Sequence, residues 1–270
     1  TNRLNPKQNE AVHYIDSPLL VLAGAGSGKT RVITKKIAYL IKQCEISASK
    51  IVAVTFTNKA AKEMKQRVSS ELDKKSARGL QISTFHTLGL KIIRTECELF
   101  GYKPSFSIYD SYDCISIIKE ICNDKNLGDK EISTVQSTIS SWKNDLIEPR
   151  KLCLDEDADA VTKYAANIYA DYCKYLKACN AVDFDDLIYQ PVIQFKKHPQ
   201  CLEKWQNRIL YMLVDEYQDT NTSQYQLIKM LVGARAALTV VGDDDQSIYA
   251  WRGAQAENLA RLKDDFTGLK

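Results

Sequence analysis

The stretch Ala23-Gly24-Ala25-Gly26-Ser27-Gly28-Lys29-Thr30 carries the residue types that hold a phosphate chain, in the order that task requires. Its glycines let the backbone wrap an anion closely, and the N–H groups of the loop and of the following helix start point at it. Lys29 offers a point charge to the β- and γ-phosphates, and the Thr30 hydroxyl offers a ligand to Mg²⁺. The pattern is a Walker A loop with Ala23 where the strict form begins with glycine. Far downstream, the apolar run 209–214 ends in Asp215-Glu216. After a strand, such a pair is often no more than favourable charge at a helix start. In a chain that also carries a phosphate loop it reads as catalytic. Asp215 is then the Mg²⁺ holder and Glu216 the base that orients or deprotonates an attacking water.

Open parallel sheets place their ligands at the carboxyl ends of the strands, so both groups need such a sheet behind them. Short apolar, β-branched runs at 19–22, 51–54, 80–83, 209–214 and 238–241 have the length and composition of buried parallel strands. Between the first of these, 29–42 repeats apolar residues at Val32, Ile33, Ile37, Leu40 and Ile41, which predicts a helix, and 60–72 predicts another. The alternation predicts an α/β fold with a doubly wound parallel sheet. From about residue 85 to 190 no strand pattern is evident, and helix-period segments at 111–125, 131–143 and 158–177 dominate. Strands resume beyond that region. The expected arrangement is therefore an all-helical subdomain inserted into one α/β domain, rather than two domains in succession.

The 270 residues, 44% hydrophobic and 26% charged, suit one large domain or one domain with an insertion. The net charge of +3 permits a nucleic-acid partner without arguing for one. Eight cysteines show no C-x-x-C spacing, and the three histidines do not cluster with them, so reduced thiols are expected rather than disulfides or zinc. No apolar stretch reaches the ~18 residues of a membrane helix, and no signal-peptide block opens the chain. The expectation is a cytoplasmic protein with no membrane partner.

Four segments make the chain recognisable. They are Ala23–Thr30, Val54-Thr55-Phe56-Thr57-Asn58-Lys59-Ala60-Ala61, Asp215-Glu216-Tyr217-Gln218-Asp219-Thr220, and the stretch from Val241-Gly242-Asp243 through Gln246, Tyr249 and Trp251 to Ala254. In this order they resemble the early motifs of superfamily 1A DNA helicases, the UvrD/PcrA/Rep group. Ile82–Leu90 and Leu176–Asn180 are similar to the Rep branch in particular. The resemblance implies a RecA-like P-loop NTPase domain (1A) formed by residues 1–84 and 191–270, with the helical insertion (1B) at 85–190. It implies ATP and Mg²⁺ as cofactors, with residues Gln8, Ala23, Gly24, Ala25, Gly26, Ser27, Gly28, Lys29, Thr30 and Arg31 around the nucleotide. Gln8 would bond the adenine edge, Arg31 would pack near the base, and Gln246 would sense the γ-phosphate. Thr55, Phe56, Thr57, Asn58, His86, Tyr249 and Trp251 would meet single-stranded DNA. Aromatic faces stack on any base, so a motor can grip DNA this way without reading its sequence.

The implied activity is that of an ATP-driven 3′-to-5′ single-stranded DNA translocase and helicase. Its partners would be single-stranded and 3′-tailed duplex DNA, and replication-fork proteins. In the family, a second RecA-like domain supplies arginine fingers, an aromatic on the adenine and half the DNA track. A chain of this length is expected to be the N-terminal half, binding ATP and DNA with weak or no activity alone. Two other readings stay open: a non-motor ATP-dependent DNA-binding module, and the motor part of a helicase–nuclease.

Overall fold

A computed structural model of the chain describes residues 3–122, 127–235, 237–243 and 254–270, without the side chains of 254–257 and 259. In chain order the elements are α1 (Pro6–His13), β1 (Leu19–Ala23), α2 (Lys29–Lys42), β2 (Ile51–Thr55), α3 (Asn58–Glu71), β3 (Gln81–Thr84), α4 (Phe85–Thr95), β4 (Ser107–Tyr109) and α5 (Ser111–Ile121). They continue with α6 (Asp129–Asn144), α7 (Ala160–Ala178), β5 (Ala181–Asp183), α8 (Asp186–Lys197), α9 (Pro199–Arg208), β6 (Tyr211–Val214), α10 (Thr222–Val232), β7 (Leu238–Asp243) and α11 (Ala254–Asp265). These residues form two compact units. One comprises Thr1–Leu88, Pro199–Thr220 and Ile228–Lys270, and the other Gly89–His198 and Asn221–Leu227.

The first unit is built on a parallel sheet of order β1-β7-β6-β2-β3. Every residue of β2 and of β6 is buried, which explains their unbroken apolar sequences. Ile33, Ile37 and Leu40 of α2 meet Ala61, Met64 and Val68 of α3 over Ile51, Ala53, Ile82 and Leu213 of the sheet, forming one core. β1 lies at the edge of the ladder, where Leu20 N–H donates to the Lys270 carbonyl at 2.9 Å and Lys270 N–H to Pro18 at 3.0 Å. The late strands β6 and β7 thus lie between two early ones, β1 and β2. This crossing back creates the site.

The second unit is mainly helical. Ile117 and Ile118 of α5, Val135 and Ile139 of α6, and Ala165, Ile168 and Tyr169 of α7 form its core. It departs from the all-helical expectation in one respect, because β4 and β5 pair in parallel over three residues each. Segments that short leave no alternation to detect in sequence. Lys143 of α6 is buried here with two acids, Asp183 at 2.7 Å and Asp186 at 3.0 Å. Burial penalises its charge, yet the two carboxylates more than offset that and hold its pKa well above the ordinary lysine value. Among the described residues all eight cysteines are free thiols, and no helix is long and apolar enough to cross a membrane.

A second buried lysine is solved differently. Lys36 of α2 has no exposed surface, and its Nζ donates to the carbonyls of Ala11 at 3.0 Å and Tyr14 at 2.6 Å, where α1 ends. Burial pulls its pKa down to about 7 from the ordinary 10.5. Between those values the unfolded chain binds a proton that the folded chain does not, so raising the pH through that window stabilises the fold. Replacing Lys36 with Met deprives two carbonyls of their donor and is expected to cost about 1–3 kcal/mol. The advantage of the natural protein over Lys36→Met should grow as pH rises from about 7 toward 9, as follows from that linkage. Denaturant titrations of both proteins across this range measure it, and a difference that shrinks with pH would contradict it.

Candidate functional site

The phosphate loop leaves β1 and turns into α2 through two left-handed glycines, Gly26 at φ +75° and Gly28 at φ +85°. At Gly28 a Cβ would also come within 3.1 Å of Gln8 Nε2, so both conformation and space call for glycine. Gly28 is the N-cap of α2 and has no side chain to bond its first turn, which leaves those N–H groups to an anion. Gln8 latches α1 onto the loop. Its Nε2 donates to the Ser27 carbonyl at 2.7 Å, while its Oε1 accepts from Asn5 N–H at 2.9 Å in a reciprocal capping box. In this arrangement the Gln8 amide serves the helix start and the loop together.

The acidic side comes from β6 and β7. Asp215 is buried, and its N–H donates to the Val54 carbonyl at 3.0 Å, which ties it to the end of β2. Burial and then the neighbouring charge of Glu216 raise its pKa to about 6. Bonds from the Glu216 N–H and the Thr30 hydroxyl, together with the charge of Lys29, act in the opposite direction. Thr30 and Asp215, far apart in sequence, are therefore close enough for the hydroxyl to favour the carboxylate. A hydroxyl and a carboxylate form an all-oxygen pair that suits Mg²⁺, and a dication there would offset the cost of burying the acid.

Lys29 is drawn to the same edge, its Nζ 3.8 Å from Asp243 at the end of β7. Asp243 stands opposite Ala23 in the β1–β7 register, so strand pairing itself aligns it with the loop. Asp219 adds another carboxylate, whose pKa is raised by burial and by the charges of Glu216 and Asp243. Glu216 has left-handed backbone, φ +51°, uncommon for a residue with a Cβ and worth notice beside a reactive site. Its carboxylate accepts from Gln218 Nε2, and Gln218 Oε1 in turn accepts from Asp243 N–H at 3.0 Å. Gln218 and Asp243 stand within recognisable motifs, where residue type alone gives neither a role. The only trace in the sequence is their place in a turn and at a strand end.

Other expected residues fall as follows. Arg31 lines a cleft of about 300 Å³ with Thr34, Lys35, Arg67, Ser70 and Glu71, on the α2–α3 side. Thr55 is fully buried, and its hydroxyl donates to the Thr57 carbonyl at 3.2 Å, so it shapes the turn rather than offering a surface. Thr57 caps α3 by accepting from Ala60 N–H at 3.0 Å, and Asn58 is exposed beside it. Phe56 is half-buried, its ring centroid 5.2 Å from that of Phe85. Burial lowers the pKa of His86 to about 4, so it presents a neutral ring at neutral pH. Gln246, Tyr249 and Trp251 lie outside the described residues.

A glycine-rich phosphate loop facing acidic strand ends across the carboxyl edge of a parallel sheet defines a P-loop nucleotide-binding domain of the RecA-like kind. The chain belongs to the UvrD/REP helicase N-terminal domain family, whose pattern matches residues 4–267. It is 54% identical over 269 residues to the ATP-dependent DNA helicase Rep of Escherichia coli K12, covering 99% of this chain and 40% of that protein. It is 46% identical over 266 residues to the Rep of Buchnera aphidicola subsp. Baizongia pistaciae, and 45% identical over 265 residues to the ATP-dependent DNA helicase PcrA of Bacillus subtilis 168. Those matches cover 98% and 97% of this chain but 39% and 36% of the relatives. The chain thus spans about two fifths of their length.

Two substitutions separate holding nucleotide from acting on it. Lys29→Ala removes the loop's cation and should weaken Mg·ATP binding by about 1.5–3 kcal/mol, the usual range for a bond to a charged group, while leaving the melting curve in place. Glu216→Gln should keep Mg·ATP affinity while turnover falls about 10²–10⁴-fold, the range for a lost general base. Nucleotide titration and steady-state ATPase measure both. Undiminished ATP affinity in Lys29→Ala, or binding lost along with turnover in Glu216→Gln, would overturn these assignments.

Proposed function

We propose that this chain is the ATP-binding and DNA-gripping part of a cytoplasmic 3′-to-5′ DNA helicase motor, acting on single-stranded and 3′-tailed duplex DNA at the replication fork. The observation that carries the reading is the meeting of Lys29, Thr30, Asp215 and Glu216 at one sheet edge, from which the Phe56–Asn58 turn also leaves. β2 and β6 are parallel neighbours, with Val54 opposite Val214, so the turn after β2 and the acids after β6 emerge side by side. A nucleotide and a DNA strand bound at these turns would share one set of strand ends. In the same reading residues 1–84 and 191–270 form the ATP-binding domain and 85–190 its insertion.

Lys29 would leave Asp243 for the β- and γ-phosphates, a stronger partner for a point charge. Thr30 and Asp215 would hold Mg²⁺, which supplies charge neutralisation to the phosphates. Glu216 would set the attacking water in line, and Gln8 and Arg31 would flank the base. Gln246 would register the γ-phosphate. Phe56, Thr57, Asn58, His86, Tyr249 and Trp251 would hold the DNA, with Thr55 shaping the turn beneath them. The names of the relatives, ATP-dependent DNA helicases, support this reading.

The test is Mg²⁺-dependent ATPase with and without single-stranded DNA, together with strand displacement on a 3′-tailed duplex. In the full-length natural protein, DNA should stimulate turnover and the duplex should open. The 270-residue chain alone should bind Mg·ATP and DNA weakly and turn over slowly, since an arginine finger supplied from elsewhere is worth about 10³–10⁵ in rate. Comparable turnover by the short chain would refute that dependence. Phe56→Ala should weaken single-stranded DNA binding by about 1–3 kcal/mol with little sequence dependence, as expected for a lost base stack. Fluorescence anisotropy with oligonucleotides of differing composition measures it, and unchanged affinity would remove Phe56 from the DNA surface.

A further inference from the structure

Gln218 lies in the 3-10 turn Tyr217–Asp219, two residues beyond Glu216. Its Nε2 donates to Glu216 Oε2, and its Oε1 accepts from Asp243 N–H at 3.0 Å. The orientation of the amide is determined by its neighbours. Reversed, it would set an N–H against the Asp243 N–H and an oxygen against a carboxylate, two repulsions in place of two bonds. Gly242 keeps the space clear, because a Cβ there would come within 3.1 Å of Gln218 Oε1.

Glu216 needs such a partner. Its left-handed backbone is held by its own N–H to Asp215 Oδ1 at 2.9 Å and by Asp219 N–H to its carbonyl at 3.0 Å, and neither bond touches its carboxylate. Asp215 precedes Glu216 directly and Asp219 N–H bonds its carbonyl, so two more carboxylate-bearing residues flank it. Neighbouring carboxylates repel one another, and the amide donor of Gln218 gives the Glu216 carboxylate a partner against that repulsion. We propose that Gln218 is a positioning residue for the water-activating step, holding the Glu216 carboxylate within the acidic cluster by tying it to the backbone at the end of β7. The inference rests on the role proposed above for Glu216. Gln218 acts through Glu216, because both ends of its amide are already engaged.

The test uses the full-length natural protein and reads kcat and the Kd of Mg·ATP separately. Gln218→Leu removes both bonds, whereas Gln218→Glu keeps an acceptor for Asp243 N–H and replaces only the donor to Glu216. Both variants should lower kcat about 10–100-fold, the scale of a reacting group misplaced by an ångström, with Kd for Mg·ATP unchanged within about 3-fold. Gly242→Ala, which crowds Gln218 without touching Glu216, should lower kcat by a smaller factor. Adding Gln218→Leu to Glu216→Gln should cause no further loss, because residues that act as a unit are not additive. Parental kcat in Gln218→Glu, a weakened Kd that accounts for the loss, or a further loss in the double variant would overturn the proposal. Gln218→Glu is nearly isosteric with the natural residue and decides the matter if Gln218→Leu does not fold. Parental turnover in Glu216→Gln alone would instead overturn the reading of Glu216 on which the proposal stands.

Discussion

The pairing of β7 between β1 and β6 is the constraint on which the site depends. A buried strand must bond both of its edges, and β7 does so only if the last part of the first unit returns to lie beside its first strand. That return sets Asp243 opposite Ala23 and, one strand further, brings Asp215 within reach of Thr30. Backbone hydrogen bonds and apolar side chains do the placing. The polar groups of the site occupy positions at the strand ends that a slip of one residue would turn to the opposite face.

The charges gathered there are unbalanced. Lys29 stands among Asp215, Glu216, Asp219 and Asp243, and burial raises the pKa of two of these acids. For those two acids burial disfavours the charged form, a cost that a cation beside them would offset. The ion pair of Lys29 with Asp243, at 3.8 Å, keeps the lysine beside the loop. The left-handed backbone of Glu216 belongs to the same pattern, a local strain sustained by a surrounding fold that over-determines it.

The two buried lysines show how context sets proton affinity. Lys143 is enclosed by carboxylates and its pKa rises, while Lys36 is enclosed by backbone carbonyls and its pKa falls. Dipoles of carbonyl groups satisfy an ammonium's hydrogen bonds without returning the full solvation of a charge, whereas two opposed charges do more than that. Lys143 joins α6 to the start of α8, and Lys36 joins α1 to α2. Through α1 the second reaches the phosphate loop, since Gln8 on that helix bonds the Ser27 carbonyl.

The sequence by itself determined the local features. The phosphate loop is legible because each of its glycines, its lysine and its threonine has a task that only that residue type performs. The central strands β2 and β6 are legible because burial on both faces demands nearly unbroken apolar runs, and 29–42 matches α2 to the residue because its apolar positions repeat at helical spacing. What the sequence could not determine is whatever depends on neighbours distant along the chain. The β4–β5 pair is too short to leave a period, and Thr55 belongs to a surface motif by pattern yet is wholly buried. Gln8 is an ordinary exposed residue by type and becomes a latch only because α1 meets the loop. Gln218 and Asp243 acquire partners only once β7 lies beside β1 and β6, because a hydrogen bond is a matter of distance and direction in space. Strand order, which pattern and period do not encode, decided that these groups meet.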